Sequence, residues 1–501
     1  MIASSTTYST NLLTGKKVPI PTAADKDAID QFLATHVGKP VVAVQGLGFV
    51  GAVMSLVCAN ALHEDYAVLG VDLANEANYW KIASINGGQF PVVASDKKIY
   101  EYYESAREKK NLHATYDSHA YAVANVIIVD INLDVAKESS STNDLIGYDV
   151  NLDPFKAAMQ TIGAHCKEDV LLLVETTVPP GTCQKVVKPI IDEALTKRGL
   201  RTDAWRLGHS YERVMPGPHY VDSIQNFYRV YSGIDEASVE ATEKFLRTII
   251  STDKYPLTRL GNTNATEMAK VLENSFRAMN IAFIVEWTRF AEEAGVNIYE
   301  VVKAIRMRPT HKNMMLPGMG VGGYCLTKDP LLASWSRQSL FGGQALKQSE
   351  RGVQINDQMP IHAFEYLRKT FSDLKNKKVL LLGVSYRQDV GDTRYTPVEI
   401  FYNCLEREGA DILITDPHVP YWEEKGLNVE GDYKKQLKQK PDIVVISTGH
   451  SAYKQADCLA ALMELDTILI YDTIGIYTEE QITTLSTHHQ IKVLGRGDLA
   501  S

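Results

Sequence analysis

The sequence predicts an α/β protein with two doubly wound parallel-sheet domains, joined by a long central helix and a helical segment. Short β-branched and apolar runs alternate with helical stretches between Val41 and Thr177, and the alternation restarts at Lys377. Such alternation is typical of a parallel sheet covered by helices on both faces. Between these regions, a long stretch from about Asn264 to Gly295 has almost no helix breakers and repeats apolar residues at helical spacing.

Each predicted strand is a short, nearly continuous apolar run, as expected for strands that are buried on both faces. In the first domain these runs are VVAVQ (41–45), YAVLGVD (66–72), ANVIIVDI (124–131) and VLLLVETT (170–177). In the second domain they are KKVLLLGVSY (377–386), ADILITDP (410–417), DIVVIST (442–448) and TILIYDT (467–473).

Composition and charge exclude several classes of protein. The 501 residues carry a formal net charge of -9, so nothing indicates binding to nucleic acid or to a membrane surface. No apolar run approaches the roughly 20 residues of a membrane span, and residues 1–38 form a polar arm without signal-peptide features. Six scattered cysteines without a metal-ligand spacing predict free thiols, no metal site and a cytosolic protein.

A glycine-rich turn follows the first predicted strand and opens a helix. Gly46 permits a tight turn, Gly48 lets the backbone approach a pyrophosphate, and Gly51 allows close helix–strand packing. Asp72 ends the next strand, where a carboxylate accepts bonds from ribose hydroxyls and repels a 2′-phosphate. The pattern therefore predicts a Rossmann-like site for NAD, not NADP; the alternative is a glycine turn that binds no ligand. The predicted cofactor contacts here are Gly46, Gly48, Phe49, Val50, Gly51 and Asp72.

One cysteine lies in a second glycine-rich stretch, GMGVGGYCLTKDP (318–330). Such a loop brings backbone close to a ligand and offers N–H donors to an oxyanion. Lys328 and a predicted helix start favour the thiolate form of Cys325. Cys325 is therefore the candidate nucleophile, with a buried core thiol as the alternative, and the other five cysteines are interpreted as core residues.

Eight blocks of the chain resemble those of the UDP-glucose/GDP-mannose dehydrogenase family, in the family's order and spacing. They are GLGFVG (46–51), ETTVPPGT (175–182), ERVMPG (212–217), EMAKVLENSFRA (267–278), GVGGYCLTKDP (320–330), INDQMP (355–360), GVSYRQDVGDTRYTP (383–397) and TDPH (415–418). The resemblance covers nearly the whole chain after residue 40. It implies an NAD-dependent enzyme that oxidises the C6 hydroxymethyl of a UDP-sugar to a carboxylate, in two steps and without a metal, through a thioester on Cys325.

The resemblance also implies roles for residues at the family's motif positions. Lys270 would stabilise a developing oxyanion, and Asn274, four residues later on the same helix face, would position the sugar. Thr177 would orient a water and contact the cofactor, and Asp329 would assist base chemistry at that water. Glu212 would serve as acid and base in turnover of the thioester. The alternative for Lys270 and Asn274 is a solvated helix face.

The second domain would bind the UDP moiety of the substrate. From it, Arg394 would reach the NAD pyrophosphate with a bidentate guanidinium, the alternative being an interdomain salt bridge. The long helix would build a homodimer. The predicted substrate contacts are Glu212, Arg213, Lys270, Asn274, Gly322, Gly323 and Arg387.

Three positions depart from the family pattern. Residues 131–134 read INLD, where the family has a VPTP-like turn near the nicotinamide, so the cofactor contacts there differ. Arg387 replaces the lysine of a GLAYK-like block, which keeps the charge and changes the geometry. Residues 94–96 read ASD, where a glutamate is typical. None of these departures removes the predicted catalytic residues.

The identity of the sugar is less constrained than the reaction. The ERVMPG block is similar to that of UDP-N-acetylhexosamine dehydrogenases, whereas UDP-glucose enzymes more often have a PEFL-type block with a second glutamate at the place of Pro216. The sequence slightly favours a UDP-N-acetylhexosamine, with UDP-glucose as runner-up. Two other classes are a non-catalytic nucleotide-sugar binding protein, disfavoured because Cys325 and Lys270 are present, and a two-electron hydroxyacid dehydrogenase, which needs no cysteine loop.

Four parts of the chain are expected. They are a polar N-terminal arm (1–38), an NAD-binding Rossmann domain (39–255), a central helical and dimerising domain (256–372) and a Rossmann-like domain that binds the UDP-sugar (373–501).

Overall fold

The computed structural model describes residues 7–92, 95–140, 143–214 and 217–499. Three residues named above lie outside these ranges: Ala94 of the ASD departure, and Met215 and Pro216 of the ERVMPG block.

The chain forms two compact units. The first unit comprises the residues up to Asp134, Val150–Val271 and Ser339–Gly342. The second comprises Val135–Asp149, Leu272–Gln338 and the residues from Gly343 onward.

The described residues before the first predicted strand, from residue 7 onward, are folded. They form a short antiparallel hairpin and a helix, namely β1 Tyr8–Thr10, β2 Lys17–Pro19 and α1 Lys26–Ala34. The sequence predicted only a polar arm here, because these strands are too short and too polar to show an apolar pattern.

A large sheet lies at the centre of the first unit. The next strands of the chain are β3 Val41–Gln45, β4 Ala67–Val71, β5 Leu112–Thr115, β6 Val126–Val129, β7 Ala136–Ser139, β8 Leu145–Asp149, β9 Leu171–Val174, β10 Arg206–His209, β11 Val230–Gly233 and β12 Thr258–Arg259. All except β7 and β8 form one sheet in the order β12-β11-β10-β9-β6-β3-β4-β5. From β5 to β10 this is the strand order of a dinucleotide-binding sheet. Neighbouring strands are parallel except β10 and β11, an antiparallel pair that the sequence did not predict.

Helices cover both faces of this sheet, since β3 and β4 are buried at every position. On one face, Val44, Ile128 and Leu173 of the strands share a core with Val53 and Phe245 of two helices. The helices of this part are α2 Phe49–Ala59, α3 Tyr79–Asn86, α4 Lys97–Lys109, α5 His119–Val123, α6 Asp153–His165, α7 Lys188–Lys197, α8 Tyr220–Gln225 and α9 Glu236–Ile249.

The predicted long helix is present as α10, Thr263–Glu293, with 31 residues. It contains neither glycine nor proline. The division between the two units falls within it, after Val271.

The second unit contains a five-stranded parallel sheet, which confirms the second doubly wound domain. The remaining strands are β13 Lys378–Leu382, β14 Asp411–Thr415, β15 Tyr421–Trp422, β16 Leu427–Asn428, β17 Ile443–Ile446, β18 Leu469–Asp472 and β19 Gln490–Val493. The sheet has the order β14-β13-β17-β18-β19, a common doubly wound order, and β15 pairs with β16 in a separate hairpin. The remaining helices are α11 Ile298–Ile305, α12 Tyr324–Ser339, α13 Lys347–Thr370, α14 Pro397–Arg407, α15 Tyr433–Leu437, α16 Ala456–Met463 and α17 Glu479–Ser486.

The β7–β8 hairpin directly follows the INLD segment and belongs to the second unit. Lys137 Nζ lies 2.8 Å from Asp357 Oδ2 of α13, and the Tyr148 hydroxyl donates to Glu350 of the same helix. The departure at 131–134 therefore leads into an element that packs on helix α13.

None of the helices among the described residues is long and apolar enough to cross a membrane. The four-part boundaries at residues 38, 255 and 372 stay a prediction.

Candidate active site

The turn between β3 and α2 has the geometry that a dinucleotide requires. Gly46 has φ +98°, and a Cβ there would lie 2.6 Å from the carbonyl oxygen of Asp130. A Cβ on Gly51 would lie 1.8 Å from the carbonyl oxygen of Gly46. At Gly48, which caps α2, a Cβ would meet nothing within 4 Å. Two glycines are thus required by packing, and the third leaves open space beside a helix N-terminus, as a phosphate needs.

Asp72 lies directly after β4 and is 8% exposed. Its Oδ2 accepts bonds from the Leu47 amide at 3.0 Å and from Lys81 Nζ at 3.2 Å. Its Oδ1 accepts the Leu73 amide at 2.8 Å. The carboxylate therefore also holds the glycine turn in place. Together, Asp72 and the turn fit an NAD molecule.

Lys270 of α10 and Glu212, which follows β10, are in contact within the first unit. Lys270 Nζ donates to the Glu212 carbonyl oxygen at 2.8 Å and lies 3.3 Å from its Oε1. Both side chains are buried. Lys270 also lies 5.4 Å from the ring centre of Tyr211. The Lys270 ammonium is therefore held next to the Glu212 carboxylate.

The ETTVPPGT block, which contains Thr177, is anchored to α10 by Glu267. Its carboxylate accepts the amide of Gly181 at 2.6 Å and that of Cys183 at 2.8 Å. Burial raises the pKa of Glu267 to about 7, and these hydrogen bonds oppose the rise. Thr177 itself is buried. Glu267 lies in the EMAKVLENSFRA block, but the sequence indicates no role for it, because the residues that it contacts are distant along the chain.

His209 is the last residue of β10 and is fully buried. Burial, and then the charge of Lys270, lowers the pKa of His209 to about 3. Its Nδ1 lies 2.8 Å from the Thr266 hydroxyl. The imidazole is therefore neutral at physiological pH.

Asn274 and Asp329 are paired in the second unit. Asn274 Nδ2 donates to Asp329 Oδ2 at 2.6 Å, and Asp329 is fully buried. Lys328 Nζ lies 3.7 Å from Asp329 Oδ1. Cys325 is in the first turn of α12, four residues before Asp329, so the two share a helix face. Cys325 is exposed, as a nucleophile must be.

The glycine loop before Cys325 packs against the loop that follows β13. A Cβ on Gly322 would lie 2.4 Å from Tyr386 Cβ, and one on Gly323 would lie 2.7 Å from the Tyr386 ring. Gly323 has φ +83°, and its amide donates to the Arg394 carbonyl at 3.1 Å. Glycine is therefore required at both positions by the close approach of Tyr386.

Arg394 is engaged within its own loop. Its Nε and Nη2 donate to the two carboxylate oxygens of Asp392 at 2.9 and 2.6 Å. This ion pair is local to the loop, and the predicted contact with the NAD pyrophosphate stays a prediction. Arg387 is exposed, and its carbonyl oxygen accepts the Ser385 hydroxyl at 3.1 Å.

Arg213 lies over two aromatic rings in the first unit. Its guanidinium is 5.7 Å from the ring centre of Tyr211 and 5.8 Å from that of Phe227. Phe49 at the start of α2 is 41% exposed, and Val50 is partly exposed. These predicted ligand contacts are accessible.

A buried ionic cluster at the carboxyl ends of β6 and β9 was not predicted. Arg229 forms an ion pair with Glu175, and both side chains are buried. Asp130 lies against the start of α2, and neither of its carboxylate oxygens has a hydrogen-bond partner among the described residues. Burial and the charge of Glu212 raise the pKa of Asp130, while Arg229 opposes the rise. In the apolar run ANVIIVDI, nothing distinguishes Asp130 from an ordinary polar residue at the end of a strand.

A second unpredicted cluster follows the strands of the second sheet. Asp389, His418 and His450 place potential metal-ligand atoms within 4.8 Å of one another. However, His450 Nδ1 accepts the Asp389 amide at 2.8 Å, and its Nε2 lies 3.0 Å from Asp416 Oδ2. Both ring nitrogens of His450 thus have hydrogen-bonding partners, and the cluster connects three loops.

Comparison with known proteins gives matches along most of the chain. Three domain models of the UDP-glucose/GDP-mannose dehydrogenase family match, namely the NAD binding domain at residues 41–250, the central domain at 264–358 and the UDP binding domain at 380–479.

The individual relatives have low sequence identity to this chain, but the matches cover all or nearly all of their length. A UDP-N-acetyl-D-mannosamine dehydrogenase of Pyrococcus horikoshii is 28% identical over 91% of this chain and 100% of its own. An NDP-N-acetyl-D-galactosaminuronic acid dehydrogenase of Ralstonia nicotianae is 25% identical over 88% of this chain and 97% of its own. A solved structure of UDP-D-ManNAc dehydrogenase from Pyrococcus horikoshii superposes with a TM-score of 0.75 at 26% identity, covering 91% of this chain and 100% of that one.

Proposed function

Because the chain belongs to the UDP-glucose/GDP-mannose dehydrogenase family and is an NAD-dependent UDP-sugar dehydrogenase, we propose that it converts the C6 hydroxymethyl of a UDP-N-acetylhexosamine to a carboxylate through a thioester on Cys325. The observation that carries the proposal is the exposure of Cys325 at the start of α12, since the five other cysteines are buried. The balanced reaction consumes one sugar, two NAD⁺ and one water, and yields one carboxylate, two NADH and three protons.

The first oxidation removes a hydride from C6 and a proton from its hydroxyl. Bound NAD⁺ supplies the hydride acceptor at both oxidations. Lys270 stabilises the negative charge that develops on the oxygen, because its ammonium is held at a fixed place by Glu212. A preorganised charge of this kind costs no reorganisation when the transition state forms.

The second oxidation takes place on Cys325. Its thiolate adds to the aldehyde carbon, a C–S bond forms, and the carbonyl oxygen takes up a proton. The thiohemiacetal then loses that proton and a hydride from carbon to become a thioester. Covalent attachment prevents escape of the aldehyde between the two oxidations.

Hydrolysis returns Cys325 to its starting state. A water oriented by Thr177 attacks the thioester with assistance from Asp329, the C–S bond breaks, and the sulfur leaves as thiolate. Glu212 takes up and returns protons during these steps. Asn274 positions the sugar and fixes the Asp329 carboxylate, to which it donates at 2.6 Å.

The choice of an N-acetylated sugar is supported by the relatives. Those that match over most of the chain carry the names of UDP-N-acetyl-D-mannosamine and NDP-N-acetyl-D-galactosaminuronic acid dehydrogenases. The UDP moiety is assigned to the second sheet, with Gly322, Gly323 and Arg387, while Arg213 contacts the sugar-nucleotide from the first unit.

The long helix is proposed to form a homodimer. It carries a stripe of large apolar side chains that are 46% to 63% exposed and recur at helical spacing, namely Met268, Leu272, Phe276, Phe283, Trp287 and Phe290. Exposed apolar stripes of this length are typical of association surfaces. A second copy of the same helix offers a surface of the same chemistry.

Product analysis on a panel of nucleotide sugars tests the proposal. UDP-N-acetylmannosamine, UDP-N-acetylgalactosamine, UDP-N-acetylglucosamine, UDP-glucose and GDP-mannose are each incubated with NAD⁺, and the products are identified by mass. The expected product is the uronate of one UDP-N-acetylhexosamine, and the Cys325→Ala variant should form no uronate. A uronate formed fastest from UDP-glucose would contradict the sugar assignment, and uronate formed by Cys325→Ala would contradict the thioester.

A further inference from the structure

The N-terminal segment 7–35 packs on the loop that follows β4. The Ser9 hydroxyl donates to the Glu76 carbonyl at 2.7 Å and accepts the Trp80 amide at 3.0 Å, and Ser9 is fully buried. Asn11 Nδ2 donates to the Ser84 hydroxyl at 3.0 Å. The hairpin β1–β2 and the turn within it are therefore hydrogen-bonded to α3 and to the loop between Asp72 and α3.

The same segment is also fastened to the loop that follows β5. The Thr115 hydroxyl donates to Asp25 Oδ2 at 2.6 Å, and the Asp25 amide donates to Asp117 Oδ2 at 2.8 Å. The Tyr116 hydroxyl donates to the Ala23 carbonyl at 2.7 Å. Thr115 is fully buried and its bond to Asp25 is partly buried, whereas the bond from Tyr116 to Ala23 is exposed.

These two loops are the ones that an adenosine would contact. The pyrophosphate lies at the turn after β3, and the adjacent ribose lies at Asp72 after β4. In the sheet, β4 lies between β3 and β5. A dinucleotide that runs from the turn after β3 past Asp72 therefore places its adenine over the loops that follow β4 and β5. Leu73, immediately after Asp72, is 60% exposed and offers an apolar surface there. The ring of Tyr79, the first residue of α3, meets the ring of Tyr116, in the loop after β5, edge-to-face at 5.9 Å.

We propose that segment 7–35 is a positioning element for the adenosine half of NAD, which holds the loops after β4 and β5 in the conformation that binds the cofactor. The matched NAD binding domain begins at residue 41, so the segment is an addition to that domain. Two independent attachments, through Ser9 and through Asp25, hold the two loops relative to each other. Loops fixed in this way lose less conformational entropy when the cofactor binds. The inference concerns cofactor affinity alone and does not depend on the chemistry of Cys325.

Single substitutions test the segment without removing it. Ser9→Ala removes both Ser9 hydrogen bonds to the residues after β4, and Asp25→Ala weakens the second attachment by removing the bond from the Thr115 hydroxyl. Asp27→Ala, on the exposed first turn of α1, is the control. Dissociation constants of NADH and of ADP-ribose are measured by calorimetry, with thermal unfolding as a check on folding. We expect both ligands to bind about fivefold more weakly to Asp25→Ala, which loses one side-chain hydrogen bond, and at least as weakly to Ser9→Ala, which loses two.

The kinetic parameters separate positioning from general damage. KM for NAD⁺ should rise with kcat and KM for the sugar unchanged, and Asp27→Ala should behave as the wild type. Folded Ser9→Ala and Asp25→Ala variants that bind ADP-ribose as tightly as wild type would overturn the proposal.

A measurement on the wild-type protein serves if a variant does not fold. Hydrogen exchange is followed with and without ADP-ribose, and with UDP as the control. ADP-ribose should slow the exchange of amides in both 7–35 and 115–117, whereas UDP should leave them unchanged. Unaltered exchange in 7–35 on saturation with ADP-ribose would overturn the inference.

Discussion

Burial divides the six cysteines into two groups. Five of them are buried, and Cys325 in the first turn of α12 is exposed. Burial raises the pKa of Cys58, Cys183 and Cys458, which keeps these thiols protonated and unreactive. A glycine-rich loop identified Cys325 from the sequence, because no core thiol needs glycine neighbours.

The folded protein should therefore react with a thiol reagent at one cysteine. Iodoacetamide at neutral pH is expected to alkylate Cys325 alone and to abolish oxidation of the sugar, with the site identified by peptide mass spectrometry. The Cys325→Ser variant should take up no label while folded. Faster labelling of any other cysteine, or full activity after labelling of Cys325, would contradict this assignment.

The second prediction at this scale concerns the pH dependence that Glu267 contributes. Its pKa rises from 4.5 to about 7 on folding, so the native state binds a proton more tightly than the unfolded state does. The stability from this group is fully present below pH 4.5 and is lost as the pH rises through 7, amounting to about 3 kcal/mol. Glu267→Gln cannot ionise and lacks this loss.

Urea unfolding of wild type and Glu267→Gln at pH 5 and pH 8 measures the effect. The stability of the wild type relative to the variant should be lower at pH 8 than at pH 5. An equal difference at the two pH values would show that Glu267 does not titrate in this range.

Among the structural elements, the glycine loop 318–323 makes contacts that differ from residue to residue. Gly323 has φ +83°, and a Cβ there would clash with the Tyr386 ring. A Cβ on Gly318 would meet nothing within 4 Å. Gly323→Ala should therefore lower the free energy of unfolding by about 1–3 kcal/mol and reduce turnover. Gly318→Ala should stay within about 0.5 kcal/mol of wild type. Thermal unfolding of both variants checks this, and equal effects would contradict the packing of the loop on Tyr386.

The apolar stripe of α10 gives a prediction about association. Phe283→Glu combined with Trp287→Glu places two charges in the stripe, and a dimer that buries it should dissociate into monomers. Tyr100→Glu is the control, because Tyr100 is an aromatic residue 47% exposed on α4. Sedimentation measures the mass of each variant. A wild type that is monomeric, or a double variant that stays dimeric, would contradict the proposed interface.

Predictability from the sequence also varied between elements. The buried strands β3, β6 and β13 were predicted because continuous apolar runs identify them. The β7–β8 hairpin was missed, because its residues AKES and LIGYD are mostly exposed or partly exposed and show no apolar period. The N-terminal hairpin was missed for the same reason: its strands are three residues long, and Ser9 is buried by hydrogen bonds instead of by apolar packing.

For the molecule as a whole, the alternation of apolar runs with helical stretches correctly predicted two doubly wound sheets, and the order of the sequence blocks correctly predicted the family. The pairings within the site needed coordinates. Lys270 and Glu212 are 58 positions apart, and Asn274 and Asp329 are 55 apart, so no local pattern connects them. Asp130 and Glu267 were not assigned roles, because what distinguishes them is the burial of a carboxyl group, which a sequence does not display.

The central claim is that one enzyme carries out both oxidations through Cys325. The most direct measurement is the number of NADH molecules released for each UDP-N-acetylhexosamine consumed, followed by absorbance under limiting sugar. Two NADH per sugar are expected, with no free aldehyde trapped by an added amine. One NADH per sugar, with the aldehyde recovered in the trap, would contradict the thioester and reduce the enzyme to a two-electron dehydrogenase.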